Sequence, residues 1–438
     1  MLWLLVLAGS VAAQELAGTG PLELSMHRAI EIATSPEGNT NVQLSGEALK
    51  QSRSRQAEAR AALLPDLEGA FSARNQTENL AALGLSQAIE IPIPGFHFPS
   101  LVGPFTTVDA RLSGTQTIFD FSSIRRYQAS KTGVTAAQAD VANTQQTVAA
   151  AVARAYLAAQ RSQTDVESAE ANVKLSQAVL DQAQHEKEAG TGTGIDITRA
   201  KVQLANDRQH LLDTQNQRRA ANLRLLRAIG MRLDTDLRLT DKLDYVPVDA
   251  VTLEQARAEA LKQRADLKAQ REREAVARLS ADATKLERLP NVAAFADYGS
   301  IGTGLDNALP TRTYGVQVRV PIFDGGRRDA RRAESASQYR QEKVRTNDLQ
   351  EQVELDVRLA LDELQSAEDQ VKVAREGLSL AEQELTQARR RYEAGVANSL
   401  EVTDAQTRLE RARDNQTAAL YLYGVARVDL AQATGRPQ

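Results

Sequence analysis

The sequence predicts a mainly α protein with a small β part, built from duplicated long helical hairpins and four strands. Three observations carry that reading. A heptad seam runs through residues 357–392, the same seam recurs 205 positions earlier, and two segments of period-two alternation precede each seam.

In the run from about Gly326 to Gly395, Val357, Leu364, Val371, Leu378, Leu385 and Tyr392 recur every seventh residue. Ala360, Ala367, Ala374, Ala381 and Ala388 follow three places after the first five. Large residues alternating with alanine at a and d spacing make a seam for a partner helix, and the alanines allow close approach. A helix of that length measures roughly 100 Å. The earlier copy places Val152, Ala159, Val166, Val173 and Leu180 on the large positions and Ala155, Ser162, Ala169, Ser176 and Ala183 on the small ones. The register survives the following turns: Glu188-Ala189-Gly190 aligns with Glu393-Ala394-Gly395, and Ala228-Ile229-Gly230 with Ala433-Thr434-Gly435. A period held that long is an internal duplication.

Composition narrows the function classes. Aromatic residues are 4% and charged residues 25% of the 438, which suits long solvated helices better than a bulky core. A net charge of −4 gives no footprint for nucleic acid. The absence of cysteine excludes disulfides, thiol chemistry and a lipid-modified N-terminal cysteine. No pair among the four histidines has metal-ligand spacing, and no nucleophile–base pair is present, so neither an enzyme nor a cofactor is expected.

In chain order, Met1 to Ala13 is an apolar run ending in Val11-Ala12-Ala13, small residues suited to signal-peptidase cleavage before Gln14. Residues 1–13 are expected to be a signal peptide, although the run lacks a basic start; a buried first helix is the other reading. It is too short to span a bilayer as a helix. Residues 14–232 read as the first repeat, 233–251 as a linker and 252–438 as the second repeat.

Ser25 is a plausible N-cap for a short helix, and Ser35-Pro36-Glu37-Gly38-Asn39 breaks it. A second helix is expected from about Ser45 to Leu63. The second repeat opens alike, with one helix from Thr252 to Leu289-Pro290. From Thr107 to Ile118, apolar Val108, Ala110, Leu112 and Ile118 alternate with polar Asp109, Arg111, Ser113 and Thr117. From Thr313 to Ile322, Tyr314, Val316, Val318, Val320 and Ile322 alternate with Thr313, Gln317 and Arg319. Their weaker partners are Asp66–Arg74 and Asn291–Gly299. Segments of about ten residues with one apolar and one polar face match tilted membrane strands.

All eight phenylalanines fall in these regions: Phe71, Phe96, Phe98, Phe105, Phe119, Phe121, Phe295 and Phe323. A small sandwich core would also collect them. Phe119 and Phe323, however, close their strands, where a membrane interface places its aromatic girdle. The first strand pair carries a proline-rich loop, Ile91 to Pro99, expected to face outward; the second has only Gly302-Thr303-Gly304 to Pro310. Four strands leave two edges, and hydrocarbon offers no water to satisfy them. Closure with further copies follows from the physics; the copy number does not.

Val320-Pro321-Ile322-Phe323-Asp324-Gly325-Gly326-Arg327 closely resembles the strand-to-helix junction of TolC-like outer-membrane efflux channels, where the strand ends in a Phe-Asp-Gly-Gly turn. Ile118-Phe119-Asp120-Phe121-Ser122 is a looser version, and Leu64-Pro65 and Leu289-Pro290 resemble the entries to the ascending strands. The resemblance extends over nearly the whole chain after the signal. It implies a homotrimer whose twelve strands close one outer-membrane β-barrel and whose helices form a periplasmic α-barrel, with an equatorial collar near Asp234–Thr252. It further implies a passive exit duct for efflux or type I secretion in a diderm bacterium. The implied partners are a periplasmic adaptor (membrane fusion protein), an inner-membrane transporter of the RND, ABC or MFS type, and outer-membrane lipid.

The second hairpin tip, Tyr392-Glu393-Ala394-Gly395 through Glu401-Val402-Thr403-Asp404, is similar to the family's tip motif. Glu401 and Asp404 share a helical face, which by that analogy lines the periplasmic aperture as a ring of about six carboxylates. Tyr392 and, in the first tip, Asp196 match the family's gating network, whereas its arginine position holds Ala397. Arg389, Arg390, Arg391 and Arg199 are the substitutes at hand; exposed charges on a solvated helix are the plain alternative. Ala189-Gly190-Thr191 and Ala394-Gly395-Val396 resemble the tips that dock the adaptor. Gly190-Thr191-Gly192-Thr193-Gly194 is not a phosphate loop, because it follows a helix rather than a strand. Arg327, Arg328, Arg331 and Arg332 would either reach lipid head groups or simply start a solvated helix. Two rivals are a periplasmic adaptor, which would carry a single hairpin, and a coiled-coil scaffold, which leaves the strands unexplained.

Overall fold

The computed structural model describes residues 22–82, 99–190, 192–248, 251–397 and 399–436. The chain divides into two compact units. One gathers residues up to Ala48, Ala137–Ala269 and Asn347–Gln438; the other Leu49–Ala136 and Gln270–Thr346. Residues 91–98 of the proline-rich loop and the first thirteen residues lie outside the described residues, as does Thr191.

In chain order the elements are β1 (Leu22–Leu24), α1 (Met26–Thr34), α2 (Thr40–Ala61), β2 (Asp66–Asn79), β3 (Leu101–Phe119), α3 (Phe121–Glu188) and α4 (Gly194–Ile229). There follow β4 (Leu237–Leu239), α5 (Leu253–Gln263), α6 (Ala265–Leu286), β5 (Asn291–Gly302), β6 (Leu309–Arg319), α7 (Arg327–Glu393) and α8 (Ser399–Thr434). The protein is mainly helical, with few strands.

In the first unit the seams are occupied. Val152, Ala159, Val166, Ala169, Leu180 and Ala183 on α3 are buried, as are Val357, Ala360, Ala367, Val371, Ala381, Leu385 and Ala388 on α7. Leu180 packs with Ala200 and Leu204 of α4, and Leu385 with Val402, Ala405 and Leu409 of α8. Two cores of parallel make seat the short helices. Ala29 and Ala33 of α1 lie against Val148, Val152 and Leu225, while Ala256 and Ala260 of α5 lie against Val353, Val357 and Leu430. Each long-helix residue of the second set stands 205 positions after its counterpart in the first.

Ser25 caps α1, its hydroxyl accepting from Arg28 N at 3.3 Å. The helix expected over 252–289 is interrupted. Arg264 leaves the helical region with ψ at 122°, while its guanidinium bonds Asp266 and Asp356. Nothing local breaks the helix here, so a tertiary anchor overrides propensity. A second departure is the parallel pairing of β1 with β4, which registers Leu22 on Leu237 and Leu24 on Leu239. Tyr156, fully buried, donates its hydroxyl to Leu24 O at 2.8 Å beneath this pair.

In the second unit the strands form one antiparallel sheet, β2-β3-β5-β6. The register sets Leu112 beside Gly69 and Tyr298, Ala110 beside Phe71, and Ala294 beside Val316. One face therefore carries Leu67, Phe71, Leu112, Tyr298, Tyr314, Val316 and Val318, all exposed. The other carries Asp109, Arg111, Asp297 and Thr311. Arg111 of β3 pairs with Asp109 and with Asp297 of β5, and donates to Thr311 Oγ1 of β6 at 3.1 Å. One guanidinium thus pins three strands in register. A bulge between Thr117 and Phe119 pairs Phe119 with Val292, which turns its ring to the apolar face.

Each of the two strand-to-helix junctions uses an aspartate carboxylate to accept a backbone N–H of the helix that follows. Asp324 Oδ2 accepts from Arg328 N at 3.1 Å, and Gly325 and Gly326 take φ of 68° and 83°. That pair of left-handed residues explains the Asp-Gly-Gly sequence. Asp120 Oδ1 accepts from Ser122 N at 2.9 Å without a glycine, the helix starting at once. Ile322 and Phe323 are 93% and 88% exposed.

Candidate functional site at the hairpin tips

The tips are shaped by glycine. Gly190 and Gly395 have φ of 77° and 71°, and each ends a long helix. At the second tip Gly395 N bonds Tyr392 O at 2.9 Å and Val396 N bonds Arg391 O at 3.0 Å. This is a Schellman closure, which needs a left-handed residue after the last helical turn. A Cβ on Gly395 would meet nothing within 4 Å, so backbone conformation alone demands the glycine. In the first tip Gly190 N bonds Lys187 O at 3.0 Å and Gly192 N bonds Glu186 O at 2.9 Å. Ala189, Ala394, Gly395 and Val396 are exposed there.

Asp196 sits in the first turn of α4. Its carboxylate accepts from Thr193 N at 3.3 Å and from the Thr193 hydroxyl, which fixes the helix entry. Tyr392 packs beside Ala388 and Val402, and its hydroxyl donates to the carboxylate of Glu186 near the end of α3. Burial, then the Glu186 hydrogen bond, then the charges of Glu186 and Asp196 push the Tyr392 phenol up from its ordinary value. The phenol is neutral at any physiological pH and keeps the proton it donates to the carboxylate. The structure thus brings Tyr392 near Asp196 but gives its hydrogen bond to Glu186.

Glu401 is not free either. Its Oε1 lies 2.9 Å from Arg391 Nε, tying the last turn of α7 to the first of α8. Arg408 and Glu384 make a further tie between the same helices. Asp404 is exposed one turn on from Glu401. Partly exposed pairs of this kind are worth roughly 0–1 kcal/mol each. Their effect is on local charge more than on stability, since Arg391 offsets one of the two carboxylates.

Glu186 escapes a reading of the sequence. Its only signal is positional: it precedes Gly190 by four residues, as Arg391 precedes Gly395. The duplicated frame thus places a carboxylate at one tip and a guanidinium at the other, and both are engaged by residues of the second hairpin.

Residues 37–231 and 256–436 match the family described as outer membrane efflux protein. The chain is 24% identical over 320 residues to the alkaline protease secretion protein AprF of Pseudomonas aeruginosa, covering 71% of this chain and 66% of that protein. It is also 24% identical over 350 residues to the outer membrane efflux protein BepC of Brucella suis, covering 76% and 75%. Among solved structures, the outer membrane protein VceC of Vibrio cholerae superimposes with a TM-score of 0.78 at 20% identity, covering 94% and 96% of the two chains. The family match takes in most of the sequence, and the chain belongs to the outer membrane efflux protein family of Gram-negative bacteria.

Proposed function

We propose that three copies of this chain close a twelve-stranded outer-membrane barrel, continued by their helices as a periplasmic tunnel, and that the assembly is a passive exit duct. The observation that carries this is the sheet. Its apolar face, with Leu112, Tyr314 and Val316, is exposed within its own unit, so it forms no sandwich core of its own. The order β2-β3-β5-β6 leaves β2 and β6 as edges running in opposite directions. Copies therefore join β6 to β2 antiparallel, and closure removes every unpaired edge from the lipid. The polar face, with Asp109, Arg111 and Arg319, then lines the lumen.

The duct reading extends to the tips. Glu401 and Asp404 of three copies surround the periplasmic aperture, and Tyr392, Glu186 and Asp196 hold the two hairpins of each copy together. Ala189 and Gly190, with Ala394, Gly395 and Val396, offer a small-residue surface to a periplasmic adaptor, which couples the duct to an inner-membrane transporter. The two hairpins are copies of one unit, a reading supported by the 205-residue offset between the long-helix residues that seat α1 and those that seat α5. Ile322 and Phe323 sit at the inner rim of the barrel in contact with outer-membrane lipid, and Arg327 and Arg332 lie within reach of its head groups.

The test is purification and reconstitution. The expected result is a detergent-solubilised trimer that forms conducting pores in planar bilayers. A monomeric, water-soluble polypeptide that never conducts would overturn the reading.

A further inference from the structure

Away from the tips, α3, α4 and α8 meet across a polar layer. Asn172 and Ser176 of α3, Gln203 and Asp207 of α4, and Gln406 and Glu410 of α8 line a cavity of about 10 Å³, close to the space of one water molecule. Asp207 is 7% exposed and accepts from Gln203 Nε2 at 2.9 Å. Among the described residues no cation pairs with it. Gln406 is 6% exposed, and its Nε2 has no hydrogen-bond partner. A buried donor and two carboxyl groups facing one small cavity are an unfinished hydrogen-bond set.

The surrounding charges do not complete it. On α3, Arg161 lies 3.8 Å from Asp165. On α8, Arg413 donates to Asn172 Oδ1 at 3.4 Å, and Asp414 adds negative charge; on α4 stands His210. Among the described residues no three acidic or histidine side chains converge as metal ligands do. Burial, then the charges of Asp207 and Asp414, hold the Glu410 carboxyl above the usual carboxylate range, against the smaller opposing pull of His210 and Arg413. Burial likewise raises Asp165.

We propose that Glu410, which lines this water-sized cavity with Asp207 and Gln406, is a proton-binding site at the α4–α8 seam. Glu410 carries the proton, and a water in the cavity accepts from Gln406 Nε2. The proton comes from solvent and returns to it, and only O–H bonds change. With the proton bound the layer is satisfied and the seam closes. Without it the half-buried Glu410 carboxylate faces the negative charge of Asp207 across α4 and α8, and the seam loosens. The sign follows from linkage: an acid held above its ordinary range contributes fully below that range, about pH 4.3 for a glutamate, and the contribution is lost as pH rises through the folded-state value. Acid tightens the joint between the two hairpins and alkali loosens it. The consequence for transport, a tunnel wall that stiffens in acid, rests on the duct reading; the site itself rests on the packing of one chain.

The experiment is amide hydrogen exchange on the purified oligomer between pH 5 and pH 8, corrected for intrinsic rates, with infrared detection of protonated carboxyl groups. The wild type is expected to lose protection in residues 199–214 and 402–414 by roughly tenfold as the pH rises, as a protonated-carboxyl band disappears. Glu410→Gln and Asp207→Asn should hold the protection of the acid state throughout, and His210→Gln should keep the wild-type slope. An unchanged slope in both carboxyl variants, or a slope abolished by His210→Gln, would overturn the proposal. The infrared band is read on the wild type, so its absence is decisive even where a variant fails to fold. Conductance of the same sample separates the outcomes: a conducting oligomer without the slope removes only the proton site.

Discussion

The Tyr392 hydroxyl donates to the Glu186 carboxylate, joining the last turn of α7 to the last turn of α3. The two residues belong to different hairpins and stand 206 positions apart. In each copy this bond links the two hairpins at their ends. A hydrogen bond to a charged acceptor contributes about 1.5–3 kcal/mol when sheltered, and the partial exposure of this one brings it nearer 1 kcal/mol.

Tyr392→Phe is therefore expected to loosen the tips without unfolding the helices. Single-channel recordings should show the open fraction rising about fivefold, the equivalent of 1 kcal/mol. Glu186→Gln keeps an acceptor and should give a smaller change in the same direction. Equal open fractions in wild type and Tyr392→Phe would remove this bond from the gate.

The ion pair of Arg391 with Glu401 sets up a test of opposite signs. Removing negative charge with Glu401→Ala or Asp404→Ala should lower cation preference in planar bilayers. Arg391→Gln, which removes the positive charge beside Glu401, should raise it. Reversal potentials across a salt gradient read both, and the differences should shrink in concentrated salt as screening shortens the Debye length. If Arg391→Gln lowers cation preference, the acidic ring is not at the constriction.

How much of this was legible in the sequence depends on whether the signal is local. The seam of Val357, Val371 and Leu385 shows because a buried helix stripe must repeat with the helix period. The alternation around Leu112 shows for the equivalent reason in a strand, although β3 extends to Leu101, where Gly103-Pro104 weakens the pattern. The break at Arg264 has no local signal, since its cause is a pair of carboxylates, one of them on α7. The β1–β4 pairing is three residues long and joins segments over 200 positions apart, too short for any periodicity. At the tips, Tyr392 and the glycines are visible from motif and backbone chemistry. Glu186 and Arg391 become partners only through tertiary approach.

The alanines of the seam test packing. Ala367 of α7 is buried in a cluster with Val371, Ala419 and Tyr423. Ala367→Leu adds volume where helix axes approach closely, and overpacking of this kind costs about 1–3 kcal/mol. The purified oligomer should melt several degrees lower. An unchanged melting temperature would mean that the α7–α8 seam has room to spare.

The two faces of the sheet give the sharpest test of membrane placement. Leu112 and Val316 project from the apolar face, and Thr313 from the other. Placing a lysine at the bilayer midplane costs roughly 2–4 kcal/mol, and the cost falls towards zero near the interfaces. Leu112→Lys and Val316→Lys are expected to reduce the heat-resistant oligomer recovered from outer membranes, while Thr313→Lys, facing water in the lumen, assembles normally. Seminative gel electrophoresis of outer-membrane fractions reads all three. If Thr313→Lys blocks assembly and Leu112→Lys does not, the sheet is inside out relative to the barrel proposed here. The Arg111 cluster with Asp109 and Asp297 would then face hydrocarbon, which a charged network of that size could not tolerate.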